Sequence, residues 1–370
     1  MLRYFVLLVI TLGAACQPRD SSTVSSTEAH SPELWLTMGE DNPGKHIVLV
    51  SGDEEYRSEE ALPQLAKILS THHDFKSTVL FAQDPTAPGI VDPNYAGSIP
   101  GLQALDNADL MIIFTRFRAL PDDQMKHFEK FLLAGKPVIG IRTATHAFHF
   151  KDTTSTWANW GNYFSQEGSP WDGGFGRLVL GEKWHTHHGH HKHQSTSGLI
   201  ADGAGTHPIV QGISDGEIWG PTDVYGVRLP LPGDSKHLIL GQVMDRQGEY
   251  DENDPFYGMR PSDREIATVN PAAENSYNPN DPMMPIAWIK SYQLPDGSPG
   301  LAFTSTIGSS TDMINQGVRR LLVNAVYYLV GEPVPEKAPV DLVGTYVPSA
   351  YSFHDDEYWD QKQLKIQDLQ

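Results

Sequence analysis

The chain has 370 residues, is 39% hydrophobic, and carries 46 acidic against 27 basic residues for a formal net charge of −19. That balance argues against nucleic acid and anionic membrane surfaces as partners, since phosphate binding needs a basic face, and it otherwise serves solubility. The single cysteine, Cys16, lies in an N-terminal leader, so the mature fold has no intramolecular disulfide, thiol nucleophile or thiolate metal ligand.

The chain opens as a targeting signal. Arg3 supplies charge, Tyr4 to Leu12 an apolar core, and Gly13-Ala-Ala-Cys16 follows. An apolar core of about nine residues is too short to span a bilayer. Small residues before a cysteine resemble a bacterial lipoprotein signal, which predicts an exported protein held to the membrane by lipid on Cys16. An ordinary cleaved secretory signal is the alternative. The expected layout is a signal over 1–16, a flexible Ser/Thr/Pro/Asp-rich linker over 17–44, a globular domain over 45–332 and a tail over 333–370. The sequence sets no oligomeric state.

Three later segments share one pattern, an apolar run breaking into a polar cluster. They are His46-Ile-Val-Leu-Val50 into Ser51 to Arg57, Asp109 to Phe114 into Thr115 to Arg118, and Pro137 to Ile141 into Arg142 to His146. Such runs, separated by helical patterns at Ser58 to Leu69 and Pro121 to Leu133, predict a parallel α/β sheet with crossover helices. Lys76 to Phe81 is a further strand. In such sheets ligands sit outside the carboxyl ends of the strands. One site is therefore expected from Asp53, Glu54, Tyr56, Arg57, Arg116, Arg118, Arg142, Thr145 and His146. The second half is less regular. Gly174 to Leu180, His237 to Val243 and Ala302 to Thr306 are expected strands, 245–282 a long loop insertion, and Asp312 to Leu329 a helix.

Residues 185–193 hold six histidines. His-x-His on a strand puts two rings on one face, and neutral imidazole is a common metal ligand. His185, His187 and His190 are accordingly candidate ligands for one divalent transition metal, joined by a carboxylate. A His-rich surface loop, or rings bonding a substrate, are the alternatives. Arg142 can bind an oxyanion and His146 can act as acid or base, with Asp53 the nearby carboxylate. Trp184 and its neighbours Trp157, Trp160 and Trp171 suit the faces of sugar rings, although core packing is the commoner role of a Trp.

The ordered set of motifs resembles the ThuA-like (trehalose utilization) family. It comprises His46-Ile-Val-Leu-Val-Ser-Gly52, Gly140-Ile-Arg-Thr-Ala-Thr-His-Ala-Phe148, the His-rich segment, His207-Pro-Ile-Val-Gln-Gly-Ile213, Pro285-Ile-Ala-Trp288, Thr304-Ser-Thr-Ile-Gly308 and the closing helix. The resemblance implies a flavodoxin-like, class I glutamine amidotransferase-like fold. Arg142 stands where those amidotransferases carry their cysteine, so their thiol chemistry is excluded. It also implies a small-molecule carbohydrate substrate and a role in breaking down glycosides through 3-keto sugars. There a base such as His146 or a His of the tract removes the C2 hydrogen, and Arg142 or a metal holds the enolate. A non-catalytic sugar-binding lipoprotein and metal binding alone are the competing expectations.

Overall fold

Apolar runs with β-branched residues become the central strands, and their neighbours are read from a computed structural model that describes residues 33–370 together with Met1, Leu2 and Tyr4. Cys16 and the signal fall outside the described residues. The strands are β1 (Trp35–Met38), β2 (His46–Gly52), β3 (Lys76–Phe81), β4 (Leu110–Thr115), β5 (Val138–Ile141), β6 (Gln194–Ile200), β7 (Ile218–Gly220), β8 (Lys236–Asp245), β9 (Glu265–Ile266), β10 (Met284–Tyr292) and β11 (Gly300–Ser305). The helices are α1 (Ser58–His72), α2 (Asp122–Leu133), α3 (Gln316–Leu329) and α4 (Asp356–Lys362). Among the described residues no helix is long and apolar enough to cross a membrane.

The strands form one 11-stranded sheet in the order β1-β3-β2-β4-β5-β11-β10-β8-β6-β7, with β9 on β8. The run β3-β2-β4-β5-β11 is parallel. From β11 onward, and at β1, pairing is antiparallel. The sheet is thus mixed α/β where a parallel sheet was expected. The reason is connection length: the chain turns directly from β10 into β11, and a parallel partner would need a crossover of a dozen or more residues.

Alternation along β2 sends Ile47 and Leu49 to one face and Val48 and Val50 to the other. The first face packs with Leu62, Leu65 and Leu69 of α1 and Leu322 and Val326 of α3. The second packs with Met125, Phe128 and Leu132 of α2. Both layers pin the carboxyl ends of β2, β4 and β5 side by side.

Four expectations change. Residues 35–38, read as linker, form β1 on β3, because Leu36 reaches the core while its neighbours face outward. Gly174 to Leu180 is not a strand but ends in one π-helical turn, Gly176–Leu180. Positive φ at Gly173, Gly174 and Gly181 bends the chain on both sides of it. Its apolar residues then pack face-on against β5, where a Cβ on Gly140 would stand 2.6 Å from Leu180 Cδ1. The 245–282 insertion is partly core. It contributes β9 and buried Tyr257, Met259 and Ala267, and its Asn280 amide bonds the Val243 and Ala267 carbonyls. The 333–370 segment folds back over α1 and β2, burying Ala338, Val340, Tyr351, Trp359 and Ile366.

Candidate functional site

Three strand-end turns build one wall. In the turn after β2, Asp53 is fully buried. Its Oδ1 accepts the backbone N–H of Glu55 at 2.9 Å and that of Tyr56, and its Oδ2 accepts Thr143 Oγ1 at 2.6 Å. Asp53 therefore staples the β2 turn to the β5 turn, with both oxygens bonded to protein and closed off from solvent. Arg57, left-handed at φ 59, is equally buried. It donates to the carbonyls of Glu54 and Ser352 and lies over the Trp359 ring.

After β4, Arg118 is buried and donates to the Pro93 and Tyr95 carbonyls and to Glu54 Oε2 at 2.6 Å. Arg116 keeps a fifth of its side chain open, pairs with Glu54, and sits between the Phe117 and Phe353 rings. Its Nε has no hydrogen-bond partner and faces Glu55 Oε2 at 3.6 Å.

After β5, Arg142 is fully buried between Tyr56 and Tyr225, 4.2 and 4.0 Å from their ring centres. It donates to the carbonyls of Asp223 and Thr306 and, at 2.9 Å, to Asp223 Oδ1. A guanidinium so enclosed is a structural cation, not an open oxyanion donor. Thr145 Oγ1 bonds the Arg142 carbonyl and approaches His146 Nδ1 at 3.2 Å. His146 is buried under Phe117, Trp184 and Tyr225. Burial, then Arg116, Arg142 and His187, hold its pKa well below the ordinary value, so the ring stays neutral.

The opposite wall comes from two loops of the antiparallel half, which pair where His188 N–H donates to the Val224 carbonyl at 2.8 Å. His187 Nδ1 lies 2.8 Å from Asp223 Oδ2, and His191 Nδ1 3.0 Å from Asp223 Oδ1. His191 Nε2 then stands 3.5 Å from Glu55 Oε1. Burial alone favours a neutral Asp223, but His187 and Arg142 override it and hold the carboxyl well below the usual range. Burial likewise opposes charge on His187, yet the Asp223 carboxylate and its hydrogen bond raise that imidazole above its ordinary value. Glu55 moves the other way: burial and then Asp53 push it up to about 7, against Arg116 and Arg142.

Of the expected metal trio, only His187 stands here. His185 is exposed beside Gly226, and His190 stacks on His193 with centroids 4.1 Å apart. The three do not converge because the tract is an irregular loop, not a strand, so alternate residues share no face. Among the described residues the group with ligand-like spacing is His187, His191 and Asp223, with one candidate atom from each within 4.8 Å of the others.

A cleft of about 740 Å³ opens at Trp184, His187 and His191, with Asn270 and Tyr277 of the insertion on its far side. Tyr277 Oη and Asn270 Nδ2 fix the His188 carbonyl at 2.6 and 2.9 Å, so the insertion shapes the histidine loop. The C-terminal segment adds Tyr351, edge-on to His191 at 5.3 Å, and Phe353 over Arg116.

Sequence reading missed Glu55, His191, Asp223, Tyr225, Tyr351 and Phe353. Glu55 lay inside a flagged cluster, and His191 four residues beyond His187. Asp223 carries no local pattern at all.

The sequence profile of a family named ThuA and described as trehalose utilisation matches residues 46–329. No curated protein matches the chain. A ThuA-like protein from Bacteroides uniformis is similar in structure, with 13% identity, TM-score 0.45, and coverage of 80% of this chain and 95% of that one. A ThuA-like protein from Parabacteroides merdae has 11% identity, TM-score 0.42, and coverage of 84% and 97%. A cytoplasmic protein from Salmonella typhimurium has 11% identity, TM-score 0.34, and coverage of 77% and 98%.

Proposed function

The chain belongs to the ThuA, or trehalose utilisation, family, and from that premise we propose that it is an enzyme cleaving glycosides already oxidised at C3, by elimination. The observation that carries the reading is His187, lining the cleft and anchored through Nδ1 to buried Asp223, with Glu55 3.5 Å from the neighbouring His191 and Arg116 3.6 Å from Glu55. With Nδ1 committed, Nε2 is the nitrogen left for substrate. A flavodoxin-like reading of the parallel five strands is consistent with this place, since β2 and β4 then flank the switch point where ligands collect.

The steps follow from the positions. A C3 ketone acidifies the C2 hydrogen. His187 takes that proton, and the C2–H electron pair becomes the C2–C3 double bond of an enolate with its charge on O3. Arg116, whose Nε lacks a partner, stabilises that oxygen. The enolate collapses, the C1–O bond breaks, and the leaving oxygen takes a proton from Glu55, a carboxyl at about 7 and so protonated in a good fraction near neutrality. The products are a 3-keto glycal and the free alcohol.

The test uses methyl 3-ketoglucoside in D2O, followed by NMR. Expected are deuterium at C2 and release of methanol. His187→Ala should lose both, and Glu55→Gln should keep exchange and lose release. Binding with neither exchange nor release would replace the enzyme by a sugar-binding protein. Elemental analysis of untagged protein addresses the metal alternative. Close to one transition metal per chain, lost in His191→Ala, would transfer the polarising role to a metal. Export with lipid on Cys16 belongs to the same proposal: Cys16→Ser should move the protein from the membrane to the soluble fraction, and unchanged fractionation would end it.

A further inference from the structure

We propose that a second cleft, of about 900 Å³ beside the His187–Asp223 site, is a subsite for the departing sugar ring of a disaccharide, with Tyr163 as its platform. This rests on the carbohydrate reading of the first site and adds to it the place where the leaving ring sits.

Tyr163 is 59% exposed, an unusual state for a ring held in fixed geometry. It stacks on Phe117 with centroids 5.7 Å apart and planes 20° from parallel, and His149 meets it edge-on at 5.1 Å. One flat face is therefore supported from behind and the other is open to the cleft. That arrangement suits the C–H face of a sugar, and the volume lies in the range of small-molecule sites. Lys151, Asp152 and Ser155 line the same cleft and offer donors and acceptors to ring hydroxyls.

Phe117, the supporting ring, has φ 51. A bulky residue in that region is strained, and the strain is held by Phe117 N–H on the His146 carbonyl at 2.9 Å and Arg118 N–H on the Ala147 carbonyl at 2.7 Å. The ring lines the second cleft. From Phe117 an aromatic path runs to His146 at 4.9 Å, Trp184 at 5.3 Å and His187 at 5.8 Å. Glu54, on the edge of the second cleft, holds Arg116, which lies over Phe117 at 4.7 Å and meets Glu55 at 3.6 Å. In the proposed reaction the leaving oxygen faces Glu55, and the departing ring lies toward Phe117 and Tyr163.

The experiment is calorimetry with trehalose, maltose and methyl glucoside on wild type, Tyr163→Ala and Tyr163→Phe, alongside turnover of methyl 3-ketoglucoside and a 3-keto disaccharide. Expected is about 10-fold weaker disaccharide binding in Tyr163→Ala, with methyl glucoside unchanged and Tyr163→Phe like wild type. KM for the 3-keto disaccharide should rise with kcat constant. Equal weakening of all ligands, no change, or a wild type that binds disaccharides no better than methyl glucoside each overturns the subsite. Tyr163-dependent disaccharide binding without turnover keeps the subsite and removes the elimination reading. Turnover of methyl 3-ketoglucoside with no dependence on Tyr163 does the reverse.

Discussion

β4 and β5 are buried at every position, whereas β8 alternates between buried and partly open along its length. The two halves of the sheet differ as much in what they supply to the site. The parallel half ends in the charged turns that draw the eye in the sequence, yet Asp53, Arg57, Arg118 and Arg142 are all closed off from solvent and bonded to protein. The antiparallel half includes the longest strands, β8 and β10, whose pairing shifts register, and its loops carry His187, His191 and Asp223. A charge at a strand end is thus not by itself a ligand contact. Guanidinium groups ringed by carbonyls act as cross-links, and of the parallel half's charges Glu55 and Arg116 are the ones left to meet the histidine loop.

Arg142 and Asp223 tie the halves together, and breaking that pair should have the largest effect. Asp223→Ala leaves the Arg142 charge buried without its carboxylate, and a loss of about 3–5 kcal/mol is expected in urea unfolding. A loss below about 1 kcal/mol would mean that the carbonyls alone hold the guanidinium. His187→Ala should separate function from fold. Turnover of a 3-keto glycoside should fall about 10²–10⁴-fold, while stability changes by about 1 kcal/mol, the worth of one hydrogen bond.

A glycine pair contrasts a packed strand of the parallel half with an exposed turn after β6. At Gly140 an added Cβ meets Leu180 at 2.6 Å, whereas at Gly205 nothing lies within 4 Å. Gly140→Ala should cost about 1–3 kcal/mol by overpacking, and Gly205→Ala should stay within about 0.5 kcal/mol. Equal costs would show that the parallel half has slack.

The smallest effect concerns Glu59, buried beside Arg57 with neither carboxyl oxygen hydrogen-bonded. Burial pushes its pKa up to about 7, with Glu60 adding to this and Arg57 opposing it. The folded protein then holds this proton more tightly than the unfolded chain does. Its contribution is full below the ordinary carboxyl value of 4.5 and is lost as pH rises through about 7. Urea midpoints at about pH 5 and pH 8 should differ less in Glu59→Gln than in wild type. An unchanged difference would place the pH dependence elsewhere.

Local pattern alone was enough for β2, β3, β4, β5, β11 and the helices α1 and α2, because a strand buried on both faces must be a continuous apolar run and an amphipathic helix must repeat every third or fourth residue. It also placed Glu54, Arg116, Arg142 and His146 in turns along one edge, since parallel strands end on the same side. The antiparallel strands were harder to read. β6 reads Gln-Ser-Thr-Ser-Gly-Leu-Ile, and β1 has one buried leucine, so neither carries a hydrophobic period. The roles within the site were decided by tertiary structure. Arg142 and Asp223 are 81 residues apart, and whether an arginine meets a substrate or a buried carboxylate depends on which loop closes over it. His185, His187, His190 and His191 are chemically identical in the sequence. Only the loop's irregular path, set by Val224, Asn270 and Tyr277, turns two of them toward Asp223 and leaves His185 and His190 lining the same cleft away from that carboxylate. Local pattern reports how a segment buries itself, while the chemistry of a polar side chain is settled by the distant groups that desolvate it and share its protons.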